Sequence, residues 1–244
     1  MKERVAAELT AAARDRAPIQ AYSHREQGFS IEEAYEIQWL VVQERIGRGE
    51  RLAGVKVGLT SEAKQRQLGL GEPVYGWLTD RMVMRSPAEL DLARHIHPRV
   101  EPEIGFLLGS GPQAKQVFPA FEVVDSRYEG FKFGMADVIA DNTSAAGVVV
   151  GEARPLAGLD LPAVACALRV NGREVATATG AAVLGDPRRA LDWVLERIAA
   201  AGRQLPAGSI VLSGSLTDFV PIGAGDRVEA VFGELGTVSA RASD

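Results

Sequence analysis

The spacing of apolar and polar positions changes character near Arg51. Before it, residues 2–16 are rich in Ala, Glu and Arg, and the run Ala34 to Ile46 sets Ile37, Leu40 and Val41 on one side. Both stretches predict helices. Ser30-Ile-Glu-Glu33 has capping-box spacing: the Ser30 hydroxyl accepts from the third amide of the helix while Glu33 reaches back. Gly47 is the expected C-terminal cap. After Arg51, short apolar segments alternate with turn residues: Leu52–Leu59, Gly76–Met84, Arg99–Leu108, Phe118–Val124, Gly147–Val150 and Cys166–Val170. This spacing predicts strands. Asn171-Gly172, between Ala167–Val170 and Arg173–Ala176, predicts a type I′ hairpin, because both residues tolerate positive φ. One more helix begins at the N-cap Asp186 with Pro187 in its first position, carries Leu191, Val194, Leu195 and Ile198 on its apolar stripe, and ends at Gly202. Strands are expected at Ser209–Gly214, Arg227–Phe232 and Gly236–Ala240. The expected organisation is α+β, with a helical part over 1–50 and a β-rich part over 51–244 that forms one structural unit.

Composition narrows the classes. The chain has 244 residues, 46% hydrophobic and 24% charged, which permits a sizeable core and argues against disorder. A net charge of −5 with no long basic run argues against a nucleic-acid partner. The single cysteine, Cys166, excludes an intrachain disulfide, and its apolar neighbours predict a packed thiol. The start, Met1-Lys-Glu-Arg-Val5, is charged, and no apolar run approaches the roughly 20 residues that span a bilayer. A cytoplasmic location with no membrane contact is the expectation.

The chemistry concentrates in Arg99-Val-Glu-Pro-Glu-Ile-Gly-Phe-Leu-Leu108. Residues two apart on a strand share a face, so Glu101 and Glu103 project together from an otherwise apolar segment. Like charges side by side repel, and burial adds to the cost. A cation or a basic partner would remove the conflict, and so would exposure to water. Glu122 is again a lone carboxylate in an apolar strand, Phe118–Val124; a salt bridge to Arg99 or Arg127 is its simpler explanation. Three carboxylates with no thiolate and few histidines suit a hard cation, Mg²⁺ or Mn²⁺. Lys56 interrupts the apolar Leu52–Leu59 and either snorkels to solvent or is desolvated into a usable base. Asp80 and Asp141 are weaker candidates that turns or caps explain as well. Ser213-Gly-Ser215 ends an apolar strand and offers amides and hydroxyls to a carboxylate, or simply turns. His95 and His97 are read as loop residues. The chain has no Walker, dinucleotide-binding or Gly-x-Ser-x-Gly pattern.

Taken jointly, certain segments resemble the hydratase/decarboxylase branch of the fumarylacetoacetate hydrolase superfamily. They are Gly54–Thr60, Pro73–Gly76 with Leu78 and Asp80, Pro98–Ile104, Pro119–Arg127, Ala140–Asn142, Leu212–Gly214 and Gly225-Asp226. The likeness runs from about Tyr35 to Arg241. It implies a mixed β-roll core with peripheral helices, the 51–244 part being catalytic. It implies Mg²⁺ or Mn²⁺ on Glu101, Glu103 and Glu122, with Lys56 as the catalytic lysine and Asp80 as a second polar residue at the site. Two activities dominate the branch. One is decarboxylation of 2-oxohex-3-enedioate (4-oxalocrotonate), and the other is hydration of 2-hydroxypenta-2,4-dienoate. The segments Asp125–Phe133 and His97–Glu103 resemble decarboxylases more closely. Arg127 and Lys132 are candidates to hold the distal carboxylate, although surface salt bridges explain them equally. Ser213 is a further candidate contact to the substrate. The resemblance also implies a homo-oligomer and a possible complex with a companion hydratase or decarboxylase, in which this chain is either an enzyme or a non-catalytic partner. One departure is the short Gly109–Gln116 segment, where family members usually carry a longer, partly helical insertion. A hydrolase of the same superfamily is disfavoured, because no histidine is placed to activate water.

Overall fold

The computed structural model describes residues 1–25, 28–60, 72–111 and 113–244. Helix α1 (Lys2–Asp15) ends at Arg16, which takes the left-handed conformation. Helix α2 (Ile31–Gly47) starts with the expected capping box: the Glu33 amide donates to the Ser30 hydroxyl at 3.2 Å and the Ser30 amide to Glu33 at 2.9 Å. Gly47 is not its cap. The helix runs through it, and Gly49 takes the positive φ of 93° that stops the chain.

Ten strands follow in order: β1 (Leu52–Gly58), β2 (Val74–Thr79), β3 (Val83–Arg85), β4 (Ala88–Asp91), β5 (Arg99–Leu108), β6 (Ala114–Val124), β7 (Ala145–Val150), β8 (Arg154–Pro155), β9 (Ala165–Val170) and β10 (Arg173–Thr179). A short helix, α3 (Met135–Ala140), precedes β7. Helix α4 (Pro187–Ala200) follows, capped by the Asp186 carboxylate on the Arg188 amide at 2.9 Å. The chain closes with β11 (Ile210–Ser215), β12 (Val220–Pro221), β13 (Arg227–Val231) and β14 (Thr237–Ser243). The expected Gly76–Met84 strand is in fact two strands broken by a turn at Asp80–Met82. The β9–β10 hairpin turns as expected, with φ of 53° at Asn171 and 78° at Gly172.

Among the described residues, one sheet has nine strands along the order β2-β1-β11-β5-β6-β7-β3, with β12 beside β5 and β8 beside β6. The other has five, β10-β9-β13-β14-β4. Both sheets are mixed: β1–β11, β3–β7 and β4–β14 are parallel, and the other pairings are antiparallel. The main core lies between the sheets. Val55, Trp77, Val100, Ile104, Phe106 and Val211 from the large sheet meet Leu168, Val228, Ala230 and Val238 from the small one, closed by Leu191, Val194 and Ile198 of α4. Cys166 is buried in this core, as expected, and burial pushes its thiol up to about 12.

The opposite face of the large sheet forms a second cluster, in which Leu78 of β2 packs with Phe118 and Ala120 of β6, Val148 of β7, and Ile210 and Leu212 of β11. Strands far apart in the sheet order share one buried cluster, so the sheet is curled into a roll and this face lines its inside. Close approach of strands decides two positions. A Cβ on Gly54 would sit 1.9 Å from the Ile210 carbonyl oxygen, and one on Gly105 would sit 2.2 Å from the Phe118 ring. The helices α1 and α2 pack with α3 and with Val74 of β2 in a third cluster. Gln38 of α2 is fully buried and donates from its amide to the carbonyls of Tyr75 (2.8 Å) and Ile139 (3.0 Å), fastening the helix to β2 and α3. Among the described residues, no helix is long and apolar enough to cross a membrane.

Candidate metal centre

Strand register delivers the carboxylates. On β5, Glu101 lies opposite Glu122 of β6, Glu103 opposite Ala120, and Gly105 opposite Phe118. Phe118 and Ala120 face the inside of the roll, so Glu101, Glu103 and Glu122 do too. Glu103 and Glu122 are fully buried and Glu101 is 8% exposed. One ligand oxygen from each lies within 4.8 Å of the others. Lys56 reaches them from β1, which is joined to β5 through β11: Lys56 pairs with Leu212, and Leu212 with Gly105. Its Nζ lies 2.9 Å from Oε2 of Glu122. The alternatives of a solvated strand face, a snorkelling lysine, or an Arg99 or Arg127 bridge to Glu122 do not describe this arrangement.

The electrostatics of the cluster are severe. Glu103 is held well above the carboxylate range, first by burial and then by the neighbouring charges of Glu122 and Glu101. Glu122 is raised by burial to about 8, with Lys56 opposing the shift. Burial alone would depress Lys56, but Glu122, Glu101 and Glu103 outweigh it and lift the ammonium above its ordinary value. The lysine is therefore a protonated group here, not the depressed base that desolvation alone would give. With all three carboxylates ionised, as metal ligands must be, one ammonium leaves two negative charges uncompensated. The Glu103 Oε1 and Glu122 Oε1 atoms are buried with no hydrogen-bond partner among the described residues. Oxygen donors, orphaned lone pairs and a deficit of two charges together fit a divalent hard cation.

A cavity of about 710 Å³ opens above the cluster, and Lys56, Glu101, Thr60, Thr143, Ser144, Ser215 and Asp218 contribute its polar lining. Phe131, Phe133, Met135, Val138 and Phe219 supply apolar walls. Thr143 and Ser144 belong to a three-residue run, with Asn142, at φ of 50–56°, strained for residues with a Cβ. The Asn142 side chain holds the run by accepting from the Trp77 amide at 2.7 Å and donating to the Trp77 carbonyl at 2.8 Å. Thr143 donates to the Tyr75 carbonyl at 2.8 Å.

Three of the expected site residues lie elsewhere. Asp80 is at the turn after β2, where its carboxylate accepts from the Arg51 amide and side chain, both at 3.0 Å. Gly76, not Asp80, is opposite Lys56, so Asp80 stands four residues further along the strand, about 13 Å away. Arg127 is buried outside the cavity lining, and its guanidinium donates to the Asp141 carboxylate and to the Asp141 and Asp125 carbonyls. Ser213 is fully buried and does not line the cavity. A break in register between Leu212 and Ser215, with Gly214 at φ 105°, turns the chain so that the Gly214 amide donates to Glu103 at 2.7 Å and Ser215 faces the cavity. Lys132 is exposed and outside the lining. The His95–His97 segment is tied down: Asp125 accepts from the amides of Ile96 (2.8 Å) and His97 (2.9 Å), and His97 packs on Phe131 with ring centroids 4.7 Å apart. The short segment after β5 is a hairpin turn closed by Gly109 donating to Gln113 at 3.0 Å; Pro112 lies outside the described residues. It sits seven residues of strand from the Glu101–Glu122 rung, about 23 Å, and so is remote from the carboxylates.

Sequence reasoning missed Ser144 and Thr143 because their role comes from strained backbone that local pattern does not encode; it offered Ser215 only within the Ser213–Ser215 strand end, where the irregular register decides which serine faces the cavity. It also missed the Phe131 and Phe219 walls, of which only the Phe131-Lys-Phe133 alternation was a visible signal.

Comparison with known proteins agrees with this geometry. A 4-oxalocrotonate decarboxylase from Pseudomonas sp. is 41% identical over 221 residues, 86% of this chain and 86% of the relative. A 2-keto-4-pentenoate hydratase from Paraburkholderia xenovorans (strain LB400) is 36% identical over 251 residues, 97% of this chain and 93% of that relative. The solved structure of 4-oxalocrotonate decarboxylase from Pseudomonas putida G7, complexed with magnesium and adipate, superposes with a TM-score of 0.94 at 31% identity, covering 99% of this chain and 97% of that one. The model of the fumarylacetoacetate (FAA) hydrolase C-terminal family matches residues 57–242. The roll, its inward-facing carboxylates and these likenesses agree, and the chain belongs to the fumarylacetoacetate hydrolase family, in its hydratase/decarboxylase branch.

Proposed function

We propose that this chain is a divalent-metal-dependent carbon–carbon lyase that removes CO₂ from 2-oxohex-3-enedioate to give 2-hydroxypenta-2,4-dienoate. The observation that carries the reading is the convergence of Glu101, Glu103 and Glu122 within 4.8 Å beneath a cavity that Lys56 also lines. The 41% identity to a 4-oxalocrotonate decarboxylase favours decarboxylation over hydration.

In this reading Mg²⁺ is the metal, with Mn²⁺ suited to the same oxygens, and its three ligands are Glu101, Glu103 and Glu122. A bound divalent ion supplies Lewis-acid polarisation of the C2 oxygen. Lys56, protonated in its carboxylate surroundings, holds and delivers a proton at that oxygen. When the C5–C6 bond breaks, its electron pair forms C4=C5, the C3=C4 pair moves to C2=C3, and the carbonyl pair takes the proton from Lys56. CO₂ leaves from C6 and the dienol is the product. The apolar walls of Phe131, Phe133 and Val138 keep water from the reacting chain.

The test supplies 2-oxohex-3-enedioate with Mg²⁺ and follows CO₂ release. Stoichiometric CO₂ and dienol are expected. Turnover of 2-hydroxypenta-2,4-dienoate with no CO₂ from the diacid would assign the chain to the hydratases instead. Binding to a companion hydratase that is indifferent to Lys56→Ala, with no turnover of either substrate, would make it a non-catalytic partner. The proposal extends to a cytoplasmic homo-oligomer, checked by light scattering on the eluting protein.

A further inference from the structure

The proposed substrate has a second carboxylate, and an apolar cavity must neutralise it. Among the described residues near the cavity, Lys56 is committed to Glu122 and Arg127 to Asp141. Arg99 is placed differently: it does not itself line the cavity as Lys56 and Glu101 do, but stands directly behind residues that do. It lies on β5 two residues before Glu101, so the two side chains share the inner face of the roll. Its rung partner is Val124, which lines the cavity. Its guanidinium lies against two further lining rings, 3.9 Å from the Phe131 centroid and 4.5 Å from that of Phe219, and the two rings themselves touch with centroids 5.6 Å apart. It has no ion pair or side-chain hydrogen bond among the described residues. Stacking fixes the plane of a guanidinium while leaving its N–H edge free to grip a carboxylate.

A second group lies at the same level. Val124 pairs with Ala145 on its other side, so Ser144 immediately precedes the residue that ends the rung Arg99 begins. Ser144 is only 5% exposed, lines the cavity, and its hydroxyl has no protein partner among the described residues. The strained backbone at φ 56° holds it there. Spacing also matches. One rung pair along β5 is about 6.6 Å, and the carboxyl carbons of an extended six-carbon diacid are about 6 Å apart, from five zigzag C–C bonds of ordinary length.

We infer that Arg99, packed against Phe131 and Phe219 and assisted by the Ser144 hydroxyl, binds the carboxylate remote from Glu101, Glu103 and Glu122, and so selects 2-oxo diacids over 2-oxo monoacids. The inference rests on the decarboxylase reading for its substrate, but not for its test. Arg99 acts in specificity. Its grip on the departing carboxylate is strongest in the ground state and is lost as neutral CO₂ forms. Replacing it therefore raises KM and leaves kcat unchanged or higher.

The experiment is calorimetric titration of the Mg²⁺-loaded protein with 2-oxoadipate and with 2-oxohexanoate, which differ only in the distal carboxylate. Wild type should prefer the diacid. Arg99→Gln should weaken 2-oxoadipate roughly tenfold to a hundredfold, the worth of a charge-assisted pair, and 2-oxohexanoate less than about twofold. Ser144→Ala should weaken the diacid alone, by a few fold. Arg99→Lys, which keeps the charge but not the planar fork, should lose part of the preference and decides the matter if Arg99→Gln does not fold. Equal weakening of both acids, or no preference in wild type, overturns the inference. Arg99-dependent diacid binding without CO₂ release from 2-oxohex-3-enedioate refutes only the decarboxylase reading; CO₂ release with Arg99-independent binding refutes only the inference.

Discussion

At the residue scale, a few buried charges govern the account. Glu103 is buried beside Glu122 and Glu101, which the Lys56 ammonium and the Gly214 amide only partly offset, so its ionised form is costly without a cation. Glu103→Gln keeps the side-chain volume and removes that repulsion. The expected outcome is a higher melting temperature in chelator at pH 8, loss of Mg²⁺ binding by calorimetry, and a fall in turnover of about 10³-fold, as several kcal/mol of charge stabilisation disappears. Lys56→Met should lower kcat by about 10²- to 10⁴-fold through loss of the proton donor while Mg²⁺ still binds; retention of normal kcat would remove the lysine from the chemistry. The three glutamates were legible in sequence because a lone acid in an apolar strand has few physical excuses. Asp80, the weaker candidate, and Arg127, which a salt bridge explained as well, could not be decided from sequence, because their partners, Arg51 and Asp141, are revealed only by folding.

At the element scale, regular structure was readable where one periodicity ruled. The capping box before α2, the Asn171-Gly172 hairpin and the alternation of β5 each follow from local stereochemistry. The break between β2 and β3 was not readable, since the apolar run continues through it and the turn is pinned by Asp80 on the Arg51 amide. The short α3 and the left-handed run 142–144 were invisible for a related reason: the strain is supported from β2, through Asn142 on Trp77. Asn142→Ala should therefore cost about 3 kcal/mol, from two buried backbone groups left unpaired in a strained turn. Denaturant unfolding would measure it, and a change below about 0.5 kcal/mol would mean that the backbone holds the run unaided. Gln38→Ala, which removes a donor from the Ile139 carbonyl and leaves the Tyr75 carbonyl with Thr143 alone, should also destabilise, by about 1 kcal/mol, and should loosen α2 from β2 and α3.

At the scale of the whole molecule, the curled sheet places buried carboxylates at the centre of the fold, so stability, protons and metal are linked. Glu122 lies at about 8 in the folded metal-free protein against 4.5 ordinarily, and Glu103 is shifted the same way. Between those values the folded chain binds more protons than the unfolded chain, so metal-free stability falls as pH rises from about 4.5 to 8. The raised Lys56 has its own window above its ordinary 10.5 and does not offset this. A divalent ion displaces those protons, so the rise in melting temperature on adding Mg²⁺ should grow from pH 5 to pH 8 and be smallest at pH 5. A pH-independent rise would place the ion elsewhere. The α+β class was legible from the change of rhythm at Arg51, but the curl that brings β1 to β6 was not, because pairing order is non-local. The most direct test of the central claim is anomalous diffraction at the manganese edge from crystals of the Mn²⁺-loaded protein. The account requires one strong peak about 2.2 Å from an oxygen of each of Glu101, Glu103 and Glu122, lost in Glu103→Gln. A peak away from these three side chains, or none at saturating Mn²⁺, would contradict it.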